Sequence, residues 1–342
     1  MKAVRFISLV SMLTLFLSAC SFSSAGQAAP TAIPQPTIAA AKPFRVAVIM
    51  PSAANDLAFS QSMYDALVRI QNEMGGPEKM QFVYSQGMFI IEDAAAALRT
   101  YASQGYDLVI AHGSQYGDSL QKIAPEFPNT SFAWGTSTST WNMPNVFAYQ
   151  AASQEGGYVI GVLTAALTTS NVVGVIGPIE TGDAQLYVDG FKAGVTAANP
   201  EIQVNVNYIG SFSDVVKASE VASNYVSAGA DVMTGTSQMV VGATSIAQEN
   251  DVLWFGTQSN QSTLSPEIVV ASQVYHWEVV LKEMIAKIKS GKLGGESFTI
   301  NLENGGEVIE YNPDYATSAR IKALGDTTVK GIIDGTIKVS LP

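Results

Sequence analysis

Phe44-Arg45-Val46-Ala47-Val48-Ile49-Met50 is a short apolar run, and the order of segments after it decides the fold. The run reads as a buried strand. Residues 58–74 follow with helical amphipathic spacing, 80–85 read as a second strand, 91–103 as a helix, and Asp107-Leu108-Val109-Ile110-Ala111 as a third strand. Strand, helix, strand, helix, strand predicts a parallel, doubly wound sheet. Two further strands, 131–134 and 145–150, complete this series before a Gly- and Ala-rich helix over 155–167.

The scheme then restarts. Asn171-Val172-Val173-Gly174-Val175-Ile176-Gly177 reads as a strand, 185–198 as a helix, 203–209 as a strand, and 214–227, 231–235, 239–248 and 252–255 continue the alternation. A strand over 268–274 leads into a long helix over 277–289, with two more strands near 297–302 and 307–311. The expected organisation is α/β: two lobes joined by a hinge, with residues 44–149 plus 274–299 in lobe 1 and 150–273 plus 300–342 in lobe 2.

Ahead of this body, Lys2 and Arg5 precede an apolar stretch, Phe6 to Leu17, that is short for a bilayer span, and Leu17-Ser18-Ala19-Cys20 follows. This resembles the lipobox of bacterial lipoproteins. It implies a signal peptide over 1–19, cleavage before Cys20 and lipidation of Cys20, the only cysteine of the chain. Residues 20–43 hold Pro30, Pro34, Pro36 and Pro43 among small polar residues, the composition of an extended tether. Several acyl chains on one residue hold a protein stably at a membrane.

Composition narrows the function. The 342 residues carry 18 Lys plus Arg against 29 Asp plus Glu, a formal net charge of -11, so the surface repels a phosphate backbone and no nucleic acid partner is expected. One cysteine and two histidines cannot build a closed zinc site, and no metal or cofactor is expected. The chain has no GxxxxGK[ST] and no GxGxxG after a strand. Ser119-Leu120-Gln121-Lys122 matches SxxK without its companion motifs and reads as one turn of helix. His112 ends a strand and His276 precedes a helix, each reading as a structural residue. Binding rather than catalysis is expected.

Polar and aromatic residues gather instead at the C-terminal ends of the strands, where open α/β sheets bind ligands. Asp56, Phe59 and Ser60 follow the first strand; Tyr116 and Asp118 follow the third. Phe212, Gly235, Gln258 and Asn260 stand at the corresponding ends in the second lobe. Asp56 and Asp214 read equally as helix caps, and Phe59 equally as a core anchor.

These segments resemble the basic membrane protein, or purine nucleoside receptor, family of ABC-transporter substrate-binding lipoproteins. The matching stretches include Asp56-Leu57-Ala58-Phe59-Ser60-Gln61, Tyr116-Gly117-Asp118, Glu155-Gly156-Gly157-Tyr158, Asp189-Gly190-Phe191-Lys192-Ala193-Gly194 and Gly210-Ser211-Phe212-Ser213-Asp214. The resemblance implies two flavodoxin-like doubly wound lobes, the type I periplasmic-binding-protein fold. It further implies a neutral purine nucleoside held between them, an ABC permease as partner and a monomeric receptor. Phe59 and Phe212 would stack the base from opposite lobes, and Asp118 would be the carboxylate of the third-strand loop. Tyr116, Trp134 and Tyr187 are the other aromatics in view.

Departures from the pattern bear on the ligand. Ser60 stands for the family's asparagine, Met50 for an acidic residue, Gln258 for an aspartate and Tyr275 for a lysine. A carboxylate suited to gripping ribose hydroxyls is thus absent at Gln258, so weaker dependence on ribose is expected. A flavin or a sugar is the alternative solute, and a sensor that hands closure to a signalling partner is the alternative role.

Overall fold

The computed structural model describes residues 42–341. Cys20 and nearly all of the tether lie outside this span. In chain order come β1 (Phe44–Ile49), α1 (Phe59–Glu73), β2 (Met80–Ser85), α2 (Ile91–Ser103), β3 (Leu108–His112), α3 (Gly117–Ile123), β4 (Ser131–Gly135) and β5 (Val146–Ala151). The second series is α4 (Gln154–Leu167), β6 (Val172–Gly177), α5 (Gly182–Ala198), β7 (Gln203–Tyr208), α6 (Val215–Ser227), β8 (Val232–Gly235), α7 (Val240–Glu249), β9 (Leu253–Gln258) and β10 (Val269–Tyr275). The chain ends in α8 (Glu278–Lys289), β11 (Ser297–Ile300), β12 (Glu307–Tyr311) and α9 (Ala319–Ile333).

Two six-stranded sheets result, ordered β11-β5-β4-β3-β1-β2 and β12-β10-β9-β8-β6-β7. Within each, the five strands of the local series follow the flavodoxin-like order 2-1-3-4-5. The pairings are parallel except β12 against β10. The chain passes from the first sheet to the second between β5 and α4, returns between β10 and α8, and passes once more between β11 and β12.

Helices cover both faces of each sheet, which is why the strands are continuous apolar runs rather than alternating ones. Val46, Val48 and Met50 have no exposed surface, and full burial of such side chains stabilises by roughly 1.5–3 kcal/mol each. Leu281, Met284 and Ile285 of α8 join Phe44, Leu67 and Ile70 in one core. Arg69 of α1 holds Glu278 at the start of α8 through two bonds of 2.6 and 3.0 Å.

The Gly-rich character of α4 has a packing cause. A Cβ on Gly157 or Gly161 would lie 2.5 Å from the Tyr187 carbonyl oxygen or 2.3 Å from that of Phe191. Gly194 of α5 meets the Tyr158 carbonyl in the same way, so the two helices touch backbone to backbone. That contact sets the position of the first turn of α5.

α9 has no counterpart in the sequence reading. Its apolar residues Ile321, Leu324, Val329 and Ile332 pack on the second-lobe core, but Gly325, Gly331 and two threonines break the periodic signal. Ser318 caps it, its hydroxyl accepting the Ile321 N–H at 3.3 Å.

Candidate functional site

The C-terminal ends of the parallel strands of both sheets face one small cavity of about 40 Å³, lined from both lobes. From lobe 1 come Pro51 after β1, Gly113, Ser114 and Gln115 after β3, Thr136 after β4, and Phe59 opening α1. Lobe 2 contributes Thr181, Asp183 and Ala184 around the start of α5, Phe212 after β7, Ser237 and Gln238 after β8, and Gln258 ending β9.

The lobes touch beside this cavity. The Ser259 hydroxyl donates to the Ala58 carbonyl at 2.9 Å, and the Gln261 amide donates to the Leu57 carbonyl at 3.0 Å. A Cβ on Gly182 would come within 3.0 Å of the Thr136 hydroxyl. The cleft is therefore in a closed arrangement.

Phe59 is held from behind. The His112 ring stacks on it, with centroids 3.8 Å apart and planes at 6°, and Trp277 meets it edge-on at 6.2 Å. Burial lowers the pKa of His112 to about 3, so the imidazole is neutral. The Phe59 carbonyl, 3.1 Å from Nε2, only accepts; Nε2 therefore carries the hydrogen and Nδ1 accepts the Tyr149 hydroxyl at 2.7 Å. Both ring nitrogens are occupied.

On the other wall, Phe212 is half-buried in its loop. Gln258 has a left-handed backbone, φ 70°, and neighbouring Ser237 likewise, φ 79°. Such conformations in non-glycine residues cost on the order of 1–3 kcal/mol and gather at functional sites. The Gln258 side-chain carbonyl accepts the Ser237 N–H at 3.2 Å, which spans the ends of β8 and β9. Two cavity-lining side chains hold buried oxygens without a partner: Asp183 Oδ2 and Gln238 Oε1.

Of the residues singled out from the sequence, Phe59, Phe212 and Gln258 meet in the cavity. The others do not line it. Asp56 caps α1, its carboxylate accepting the N–H groups of Ala58, Ser60 and Gln61; desolvation raises its pKa against these bonds. Ser60 is buried and accepts the Ser52 N–H. The Tyr116 ring lies in the core between β3 and α2, its hydroxyl donating to the Met88 carbonyl. Asp118 is exposed on the first turn of α3, outside the cavity lining. Trp134 stacks on Trp141 at 4.5 Å, and Tyr187 is buried against Thr234. Gly235 is sealed inside the second sheet beneath Val240. Asn260 points away to Glu310 at 2.7 Å. Tyr275 is fully buried against Trp277, so it does not face Gln258 across the cleft as a substitute for a charged pair.

Asp183, Thr136 and Gln238 were missed. Ser114, Gln115 and Ser237 stand where strand-end reasoning points, but Asp183 falls two residues ahead of the helix read over 185–198, and only the structure starts that helix at Gly182.

Residues 44–340 match the model of the family Bmp, described as ABC transporter substrate-binding protein PnrA-like. An ABC transporter nucleoside-binding protein of Lactococcus lactis is 28% identical over 307 residues, covering 84% of this chain and 86% of its own. A purine-binding protein of Brucella abortus is 22% identical over 258 residues, 75% and 72% of the two chains. Among solved structures, a solute-binding protein of an ABC transporter system from Aeropyrum pernix superimposes with a TM-score of 0.74 at 19% identity, covering 88% of this chain and 94% of that one.

Proposed function

The chain belongs to the Bmp family of PnrA-like ABC transporter substrate-binding proteins, and from that premise we propose that it captures a purine nucleoside, a nucleobase or a similar flat heterocycle for import. The observation that carries this reading is the pair of aromatic rings, Phe59 and Phe212, brought from opposite lobes to one closed cavity. A flat ring between them contacts both lobes, so it binds the closed form better than an open one. A membrane permease can then read closure as occupancy. The neutral polar groups around the rings suit base edges and hydroxyls rather than a phosphate.

Binding is favoured over catalysis by the state of His112, the histidine beside the cleft, whose two nitrogens are already engaged. We place the receptor outside the cytoplasmic membrane and assign its anchor to lipidated Cys20. Titration calorimetry of the mature chain with hypoxanthine, guanine, inosine, guanosine and riboflavin tests the solute class. Micromolar or tighter binding of a purine supports it; binding of riboflavin alone would move the assignment to a flavin, and binding of none would remove the heterocycle reading.

A further inference from the structure

We infer that Asp183 selects the solute: its free carboxylate oxygen receives an N–H of the bound heterocycle, so that the cleft accepts neutral or cationic ligands carrying such a donor and refuses anionic ones. The inference rests on the reading of the cleft as a heterocycle site.

Among the described residues lining the cavity, Asp183 is the one with an ionisable side chain. It is 5% exposed. One oxygen accepts the Ala151 N–H at the end of β5 through a long bond of 3.4 Å. The other, Oδ2, is buried with no partner in the protein. The side chain does not cap its own helix, whose cap residue is Thr181 without a side-chain bond. A buried acceptor left unpaired is unfavourable, and the fold gains little from an acid here, so the missing partner is assigned to the ligand.

The surroundings fix the sign of what can bind. Tyr149 of β5, Tyr275 of β10 and Glu307 of β12 are the titratable groups that feel the Asp183 charge. All are buried, and burial holds each of them toward its protonated form. Among the described residues, no lysine or arginine lines the cavity. A phosphate or carboxylate on the ligand would meet a carboxyl group and no counter-charge. The positive end of the α5 macrodipole beside Asp183 assists the ionised form once a donor engages it.

Burial lifts the Asp183 pKa to about 8, so the empty cleft holds mostly the acid at pH 7. An N–H donor is held more strongly by the anion than by the neutral acid, whose own hydrogen competes for the buried oxygen. Binding should therefore expel a proton, and affinity should rise with pH up to that pKa.

The test is titration calorimetry with guanine, guanosine and guanosine monophosphate at pH 6, 7 and 8, in phosphate and in Tris, on the wild-type chain and on Asp183→Asn. Asn keeps an acceptor for Ala151 and turns an N–H toward the ligand donor. Thermal melting verifies that the variant is folded. Expected for the wild type are affinity for guanine or guanosine rising on the order of tenfold per pH unit below 8, proton release seen as a buffer-dependent enthalpy, and no binding of the monophosphate. Asp183→Asn should lose the pH dependence and bind at least tenfold more weakly at pH 8. Equal affinity in the two proteins would overturn the inference, as would affinity that falls with rising pH, since the acid would then be the donor. Monophosphate binding as tight as that of guanosine would also overturn it. Failure of every purine to bind at any pH would remove the heterocycle reading, and this inference with it.

Discussion

The His112 imidazole lies parallel to the Phe59 ring at 3.8 Å, and the same histidine donates to the Phe59 main-chain carbonyl while accepting from Tyr149. One side chain thus braces both the ring and the backbone of the aromatic that lines the first-lobe wall. A rigid ring loses little freedom when a ligand stacks on it, and such stacking is worth about 1–3 kcal/mol by analogy with nucleobase platforms. Phe59→Ala should weaken purine binding tenfold or more by calorimetry. His112→Ala should weaken it several-fold and also lower stability by about 2–4 kcal/mol, since a buried ring and two hydrogen bonds are removed.

His112 also sets an acid limit. Its folded pKa, about 3, lies below the ordinary imidazole value of 6.5, so the unfolded chain binds the proton more readily. Its contribution to stability is complete above pH 6.5 and is lost as pH falls toward 3. Asp183 acts in the opposite sense: its folded pKa of about 8 exceeds the ordinary carboxyl value of 3.8, so stability declines as pH rises from 4 to 8 and levels off above. Asp183→Asn should therefore gain stability over the wild type at pH 9, by a few kcal/mol at about 1.4 kcal/mol per pH unit, and almost none at pH 4. Urea unfolding at the two pH values measures both differences. A gain of equal size at each pH would mean that Asp183 titrates as an exposed acid.

Phe212 differs from Phe59 in belonging to no core cluster. Phe212→Ala should reduce affinity about tenfold while moving the melting temperature by no more than about 1 °C. A large loss of stability would show the ring to be structural.

Gly161 tests how the first turn of α5 is placed. A methyl group there would lie 2.3 Å from the Phe191 carbonyl oxygen and 2.8 Å from the Val195 nitrogen, both main-chain atoms that move only with the helix. Gly161→Ala should destabilise by about 1–3 kcal/mol in urea unfolding. Purine affinity should fall with it, because Asp183 moves with α5.

Cys20 carries the anchoring expectation. If Cys20 is lipidated as proposed, Cys20→Ser should release the protein from membranes on fractionation without changing solute affinity, because the residues lining the cavity all lie between Pro51 and Gln258. A membrane-bound variant would require another anchor.

Burial and element type were legible locally. Phe44 to Met50 is apolar on successive residues because helices cover both faces of the sheet, and the restart at Asn171 repeats that signal, so two parallel α/β lobes followed from the sequence alone. Phe59, Phe212 and Gln258 lie at strand C-termini, where an open sheet gathers its loops, and the structure places all three on one cavity. The tertiary structure decided which neighbours of those residues turn inward. Tyr116, Trp134 and Tyr275 have the same apolar surface as a stacking ring, but each finds a deeper contact within a lobe. Asp118 and Asp183 each sit in the first turn of a helix, and one faces water while the other is buried at the cleft. Periodicity records whether a side chain is buried. The cleft is made by loops far apart in the chain, so which of two apolar environments receives a side chain depends on how one lobe closes on the other.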